Sequence, residues 1–421
     1  MATVTSVHAV EILDSRSRPT LAVTLGLADG TVARAGVPSG ASTGSCEAVE
    51  LRDGDHDRYN GLGVLKAVAN VNGDIASALI GESLDDVAAL DRLLIELDGT
   101  PTKSRLGANA IVGISMAFAR ALAVSDGVEL WQALTPSGVS PRLPVPHFNV
   151  VNGGAHAPNK LDFQEFMLAP LGAPSLAEAV RAGSEIYGTL KKLLAGKGFA
   201  TGLGDEGGFA PEIDVPEDVL SLLVQAIEDA GYRAGRDGVA VALDPAASEF
   251  YRDGRYHVAG EALSSDDMIE RFSSMTRDFP VWSIEDGLAE GDWDGWVRLN
   301  ERLGERVQLV GDDVLVTNPA IIREGIAKRI ANAALIKVNQ VGSVSETVEA
   351  MRLCREAGWA QMVSHRSGET EDSFIADLAV GSGCGQLKTG APARGERVAK
   401  YNRLIEIEAA VQLPYGLATA R

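Results

Sequence analysis

Six residues able to do polar chemistry each close a short apolar run: Asp244 after VAVAL, Glu285 after VWSI, Asp312 after VQLVG, Lys337 after AALI, His365 after AQMVS and Lys388 after GQL. Three carboxylates aimed at one spot repel each other unless a cation lies between them. Asp244, Glu285 and Asp312 have no Cys or His beside them, and such hard oxygen ligands favour Mg²⁺ over zinc. A divalent cation and a second lysine nearby favour a neutral amine, so Lys337 suits a general base. His365, Arg366 and Ser367 are contiguous, offering a cationic fork and a hydroxyl to a phosphate or carboxylate oxygen.

Glycine-rich segments add to this set. SGASTG, Ser39 to Gly44, can present backbone N–H groups and hydroxyls to an anion. GDEGGFAP, Gly204 to Pro211, holds an acidic pair between glycines, with Glu206 the candidate acid. VNGGAHA carries His156, and Glu165 lies just beyond it.

These residues need elements that bring them together. The six run ends are 23 to 41 residues apart, the length of one strand-helix unit. With VPHFNVV and FQEFMLAP ahead of them they make eight strands, and a (β/α)8 barrel places its active site at the strand C-termini. A doubly wound α/β sheet is the alternative, but it gathers its polar residues at one switch point. Before the barrel, AVEI, TLAVTLGL, an Asp29-Gly30 turn and TVARAGV predict a small antiparallel sheet. Helical patterns follow at Leu84 to Leu97 and Ala108 to Leu122. The expected organisation is a smaller α+β domain over 1–134 and a barrel over 135–421.

Composition sets bounds. The 421 residues are 45% hydrophobic and 23% charged, with a net charge of −20. That argues against disorder, and against nucleic acid or an anionic membrane as partner. Three cysteines without a CxxC pair suit a reducing compartment. The N-terminus has no basic segment followed by an apolar run, so a cytoplasmic location is expected. Asn109, Ser115 and Arg120 interrupt the most apolar stretch.

The ordered motifs EILDSR, VPSGASTG, NGGAHA, GDEGGFAP, SIEDGLAE, LIKVNQ, SHRSGETED and QLKTG resemble the enolase family over nearly the whole chain. The resemblance implies an enolase-like TIM barrel that eliminates water from 2-phosphoglycerate. Asp244, Glu285 and Asp312 would hold a first Mg²⁺ and Ser39 a second. Lys337 would take the α-proton, and Glu206 supported by Glu165 would protonate the leaving hydroxyl. His156, Arg366 and Ser367 would contact the phosphate, with His365 beside them, and Lys388 the carboxylate. A homodimer is implied, with octamers known among bacterial relatives. The chain departs from the family pattern at Ser17 and Arg18, where Gly and Asn are usual, and at Cys46, His147, Pro158, Lys160 and Glu212. These changes raise an alternative within the family: a carboxyphosphonoenolpyruvate synthase, joining nucleotide-activated phosphonoformate to 2-phosphoglycerate in phosphonate biosynthesis. A non-catalytic binding protein would not need the three carboxylates and two lysines together.

Overall fold

The computed structural model describes residues 1–41 and 44–418. Strands β1 (Ala2–Leu13), β2 (Pro19–Leu27), β3 (Val32–Gly36) and β4 (Ser83–Leu84) form an antiparallel sheet in the order β3-β2-β1-β4. The β1–β2 turn carries the altered Ser17. Asp14 Oδ1 accepts from the backbone N–H of Arg16 and Arg18 at 2.8 and 2.9 Å, and Ser17 takes a left-handed φ of 58°. Serine thus takes the left-handed backbone that suits the usual glycine, at the cost that a side chain carries in that conformation.

Helix Ala108–Ser125 packs on β2. A Cβ at Gly113 would meet Val23 Cγ2 at 2.7 Å and Val37 Cγ2 at 2.9 Å, so only glycine lets helix and sheet come this close. The helix is long and apolar enough to cross a membrane, yet 78% of it is buried inside the protein. It serves as a core element.

The rest of the chain builds a closed barrel. Its strands are β5 (Val145–Asn152), β6 (Glu165–Ala169) and β7 (Ala240–Asp244), then, beyond a small antiparallel sheet of β8 (Tyr251–Arg252), β9 (Arg255–Val258) and β10 (Glu261–Leu263), β11 (Val281–Glu285), β12 (Gln308–Gly311), β13 (Ala333–Ile336), β14 (Ala360–Ser364) and β15 (Gln386–Lys388). All eight expected strands are present. From β7 onward neighbours pair in parallel, round to β15 against β5.

The expected uniform strand direction needs correction at β6, which runs antiparallel to both β5 and β7. Residues 153–164 hold only a short 3₁₀ turn, and without a crossover helix the chain must come back antiparallel. Helices Leu176–Gly196 and Pro216–Asp229 then lead to β7. The reversal has a functional consequence. Glu165 is the first residue of β6, and in a reversed strand the first residue lies at the mouth where the other strands end.

Candidate active site

At that mouth the β6–β7 register sets Glu165 opposite Asp244. Lys388, closing β15, lies beside Ser364 of β14 and His147 of β5. Its Nζ is 2.7 Å from Glu285 Oε1, 2.9 Å from Asp244 Oδ2 and 3.2 Å from Glu165 Oε2. Burial works against this ammonium, but Asp244, Glu165 and Glu285 outweigh it and hold the group well above the usual lysine range.

Lys337, just past β13, donates to Asp312 Oδ2 at 2.5 Å, and Gln340 Nε2 donates to Asp312 Oδ1 at 2.8 Å. Burial lowers the Lys337 pKa, but the adjacent Asp312 carboxylate prevails over that and over repulsion from Arg366 and Lys388, so the pKa is raised. The neutral amine expected at Lys337 presumes a divalent cation beside it. With Asp312 this close, the ammonium is favoured.

Glu206 stands on the loop between helices Leu176–Gly196 and Pro216–Asp229. Phe209 anchors that loop to β5, with Asn152 N donating to Phe209 O at 2.8 Å and Phe209 N to Val150 O at 2.9 Å. Gly207 makes the turn at a φ of +87°, a conformation suited to glycine. Asn149 Nδ2 donates to Glu206 Oε2 at 3.0 Å, and His365 Nε2 lies 3.0 Å from the same oxygen. His156 Nδ1 is 3.7 Å from both Glu165 Oε1 and Glu206 Oε1.

Burial pushes both carboxyl groups up. At Glu165 the Glu206 charge adds to burial and outweighs Lys388, so the pKa is well raised; at Glu206 burial is overcome by His365 and His156, so it is well lowered. Burial also pushes the imidazoles down, His365 to about 3. The two glutamates form a coupled pair with opposite shifts, Glu165 up and Glu206 down.

Arg366 Nη1 is 3.0 Å from Glu47 Oε2 and 3.1 Å from Asn339 Oδ1, while Arg16 Nη1 donates to Ser367 Oγ at 3.2 Å. Ser39 is held at the mouth by a backbone bridge, donating to Gly368 O at 2.8 Å and accepting from Gly368 N at 2.9 Å. Its hydroxyl accepts from Arg52 at 2.8 Å and donates to Glu50 at 3.3 Å. Ser42 and Thr43 of the SGASTG motif lie outside the described residues.

One cavity is lined by His156, Glu165, Glu206, Asp244, Lys337, His365, Arg366, Ser367 and Lys388, together with Gln164 and Ser364. It thus joins nine of the twelve residues singled out from the sequence; Glu285 and Asp312 touch its two lysines. Ser39 meets it through Gly368, next to Ser367.

The chemistry of the donor set fits a divalent cation. Among the described residues, Glu165, Glu206, Asp244, Glu285 and Asp312 are met by Lys337, Lys388, Arg366 and Arg397 as fixed positive charges, so the carboxylates outnumber the cations. Glu285 Oε2 is buried without a hydrogen-bond partner, and burial with the charges of Asp244 and Asp312 pushes the Glu285 carboxyl well up despite Lys388. Among the described residues, the tightest acidic groupings are His156/Glu165/Glu206 and Asp286/Asp312/Asp313, with candidate ligand atoms within 4.8 Å of one another. Of the three expected metal carboxylates only Asp312 belongs to such a group. Lys388 bridges the other two.

Sequence reasoning missed several supporting residues. Asp286 accepts from the backbone N–H of Asp312 and Asp313, both at 2.9 Å, and so shapes the β12 end. Its adjacency to Glu285 was the available signal. Gln340 ends the LIKVNQ motif without having been given a role, and nothing local assigned roles to Asn149, Gln164, Glu47 and Arg397. None of Ser17, Arg18, Cys46, His147, Pro158, Lys160 and Glu212 lines the cavity. Lys160 points outward, its Nζ 3.9 Å from Asp214. Cys46 is exposed. His147 is buried beneath the site, its ring centroid 5.5 Å from that of Trp282 and its pKa pushed by burial to about 3.

Comparison with known proteins agrees with this arrangement. Residues 4–134 match the family described as "Enolase, N-terminal domain", and residues 140–415 match "Enolase, C-terminal TIM barrel domain". A protein named "Enolase" from Rubrobacter xylanophilus is 56% identical over 410 residues, which cover 97% of this chain and 95% of that protein. With both domains matched and the two proteins aligned almost end to end, the chain belongs to the enolase family.

Proposed function

We propose that this chain dehydrates 2-phosphoglycerate to phosphoenolpyruvate. The observation that carries the reading is that Lys337 and the Glu165–Glu206 pair line one and the same buried cavity. Lys337 Nζ takes the proton from the α-carbon, and the glutamate pair gives a proton to the β-hydroxyl, which leaves as water as the C=C bond forms. Lys388 faces the substrate carboxylate, while Arg366, Ser367 and His156 bind the phosphate and His365 orients Glu206. Asp244, Glu285 and Asp312, with Ser39 for a second ion, would hold Mg²⁺, which when bound supplies positive charge for the developing carboxylate dianion, as known for the enolase superfamily. Lys337 acts as a base once Asp312 no longer pairs with it alone.

The lining supports the enolase reaction over the phosphonate-pathway synthase, since every altered residue named above lies off the cavity. The relative at 56% identity carries the name enolase, and nothing supports the synthase. We place the domain division at 134/135, in the gap between the two family matches. We also read the protein as a cytoplasmic homodimer; sedimentation at monomer or octamer mass would revise that. The test of function follows 2-phosphoglycerate by phosphorus NMR in Mg²⁺ buffer, with and without a nucleotide-activated phosphonoformate. Phosphoenolpyruvate is expected in both, and a new carbon-linked phosphonate product would overturn the reading.

A further inference from the structure

His365 Nδ1 lies 2.6 Å from Nη1 of Arg397. A guanidinium has N–H donors and no acceptor, so Nδ1 must accept and the imidazole proton must sit on Nε2. The other neutral tautomer, or an imidazolium, would set N–H against N–H at that distance. Arg397 has no room to turn aside. It is fully buried in the first turn of helix Gly395–Ala410. Its guanidinium also donates to the carbonyls of Ser367 at 2.6 Å, Arg366 at 2.7 Å and Asp205 at 3.1 Å, and to Ser15 Oγ at 3.4 Å.

The consequence reaches Glu206. His365 Nε2 lies 3.0 Å from Glu206 Oε2, so a proton on Nε2 faces that oxygen. Asn149 Nδ2 donates to that same Oε2 at 3.0 Å. With two donors facing Oε2, a proton on Glu206 has its place on Oε1, the oxygen 3.7 Å from His156 Nδ1 and on the Glu165 side.

We infer that Arg397 is a positioning residue: it locks His365 in the Nε2–H tautomer and so fixes Oε1 as the oxygen of Glu206 that carries the transferable proton. The inference rests on the acid role proposed above for the glutamate pair. It also makes His365 a neutral donor throughout the reaction.

The first test is direct. With ¹⁵N-histidine in the wild-type protein, long-range ¹H–¹⁵N correlations assigned with His365→Gln should show His365 with a protonated Nε2 and a bare Nδ1. A protonated Nδ1 overturns the inference whether or not any variant folds, and whatever the substrate is. The second test compares Arg397→Met with Arg397→Lys, each checked for folding by thermal melt. Arg397→Met should lose dehydration by about tenfold to a hundredfold in kcat, the usual effect of removing an orienting partner. Exchange of the substrate α-proton, which depends on Lys337, should stay within about threefold of wild type. Arg397→Lys, which keeps a donor to Nδ1, should recover both the tautomer and much of kcat. A folded Arg397→Met protein with wild-type kcat, or one that loses exchange and dehydration in parallel, overturns the positioning role. Absence of any phosphoenolpyruvate from the wild type would instead sink the functional reading and leave the tautomer result standing.

Discussion

Lys388→Met removes an ammonium that touches three carboxylates at 2.7, 2.9 and 3.2 Å, with all four side chains at most 4% exposed. Methionine keeps the length of the side chain, so the packing loss is small and the charge loss dominates. Removing one partner from a buried ion pair costs about 3–5 kcal/mol, because the other partner stays buried and uncompensated. The carboxyl groups answer by taking up protons. Burial and the neighbouring carboxylates already push Glu165 and Glu285 well up, and Lys388 works against that push at both. In the variant both therefore rise further. A carboxyl whose folded pKa lies above its unfolded one binds more protons when folded, so between those two values stability falls as pH rises, by up to about 1.4 kcal/mol per pH unit for each proton. The variant should therefore be least stable relative to wild type near pH 8 and should regain stability on acidification towards pH 5.5. The assay is urea unfolding in chelator followed by tryptophan fluorescence, with Trp282 buried in the barrel as a reporter. A deficit under about 1 kcal/mol at pH 8, or one that grows on acidification, would refute the account of Lys388 as the counter-charge to this cluster.

Three other outcomes are expected. Lys337→Ala should abolish exchange of the substrate α-proton with solvent, whereas Glu206→Gln should keep part of the exchange and lose elimination; equal loss in both would contradict the division into base and acid. Ser17→Gly should raise stability by about 1 kcal/mol by relieving a left-handed φ of 58°, read as a higher unfolding midpoint with unchanged kcat. Gly113→Ala should lower stability by about 1–3 kcal/mol even though alanine favours helix, because its Cβ would fall 2.7 Å from Val23 and 2.9 Å from Val37; an unchanged midpoint would show that the helix can lift off β2 freely.

The barrel was legible because each apolar run is short, buried on both sides and closed by a polar residue, and that pattern locates strand ends without any knowledge of contacts. Asp244, Glu285, Lys337 and Lys388 follow from it directly. The direction of β6 was legible in principle and was missed. The segment between FNVVN and EFMLA carries Gly153, Gly154 and Pro158 and forms no crossover helix, so the chain returns antiparallel and brings Glu165 to the mouth by its strand start. Arg397 could not be read from the sequence at all. Its role depends on meeting His365 across 32 residues of chain, and no periodicity or local motif encodes that approach. The balance at Lys337 likewise turns on a tertiary distance, the 2.5 Å contact with Asp312, which favours the ammonium where no cation shares that carboxylate.

The two lysines of the site look interchangeable in sequence, each following an apolar run, yet their surroundings separate them. Lys388 is held by three carboxylates. Giving up its proton would leave all three without their common counter-charge, so it serves as a fixed positive charge. Lys337 has one carboxylate contact, Asp312, and two cations, Arg366 and Lys388, that oppose its charge. Asp312 is its one close carboxylate, with Glu285 adding at longer range, and Asp312 is also suited to a divalent cation. A cation held by Asp244, Glu285 and Asp312 would draw on the only carboxylate contact of Lys337 but leave Lys388 its contact with Glu165 at 3.2 Å. That asymmetry, rather than the presence of lysine as such, supports the base role proposed for residue 337.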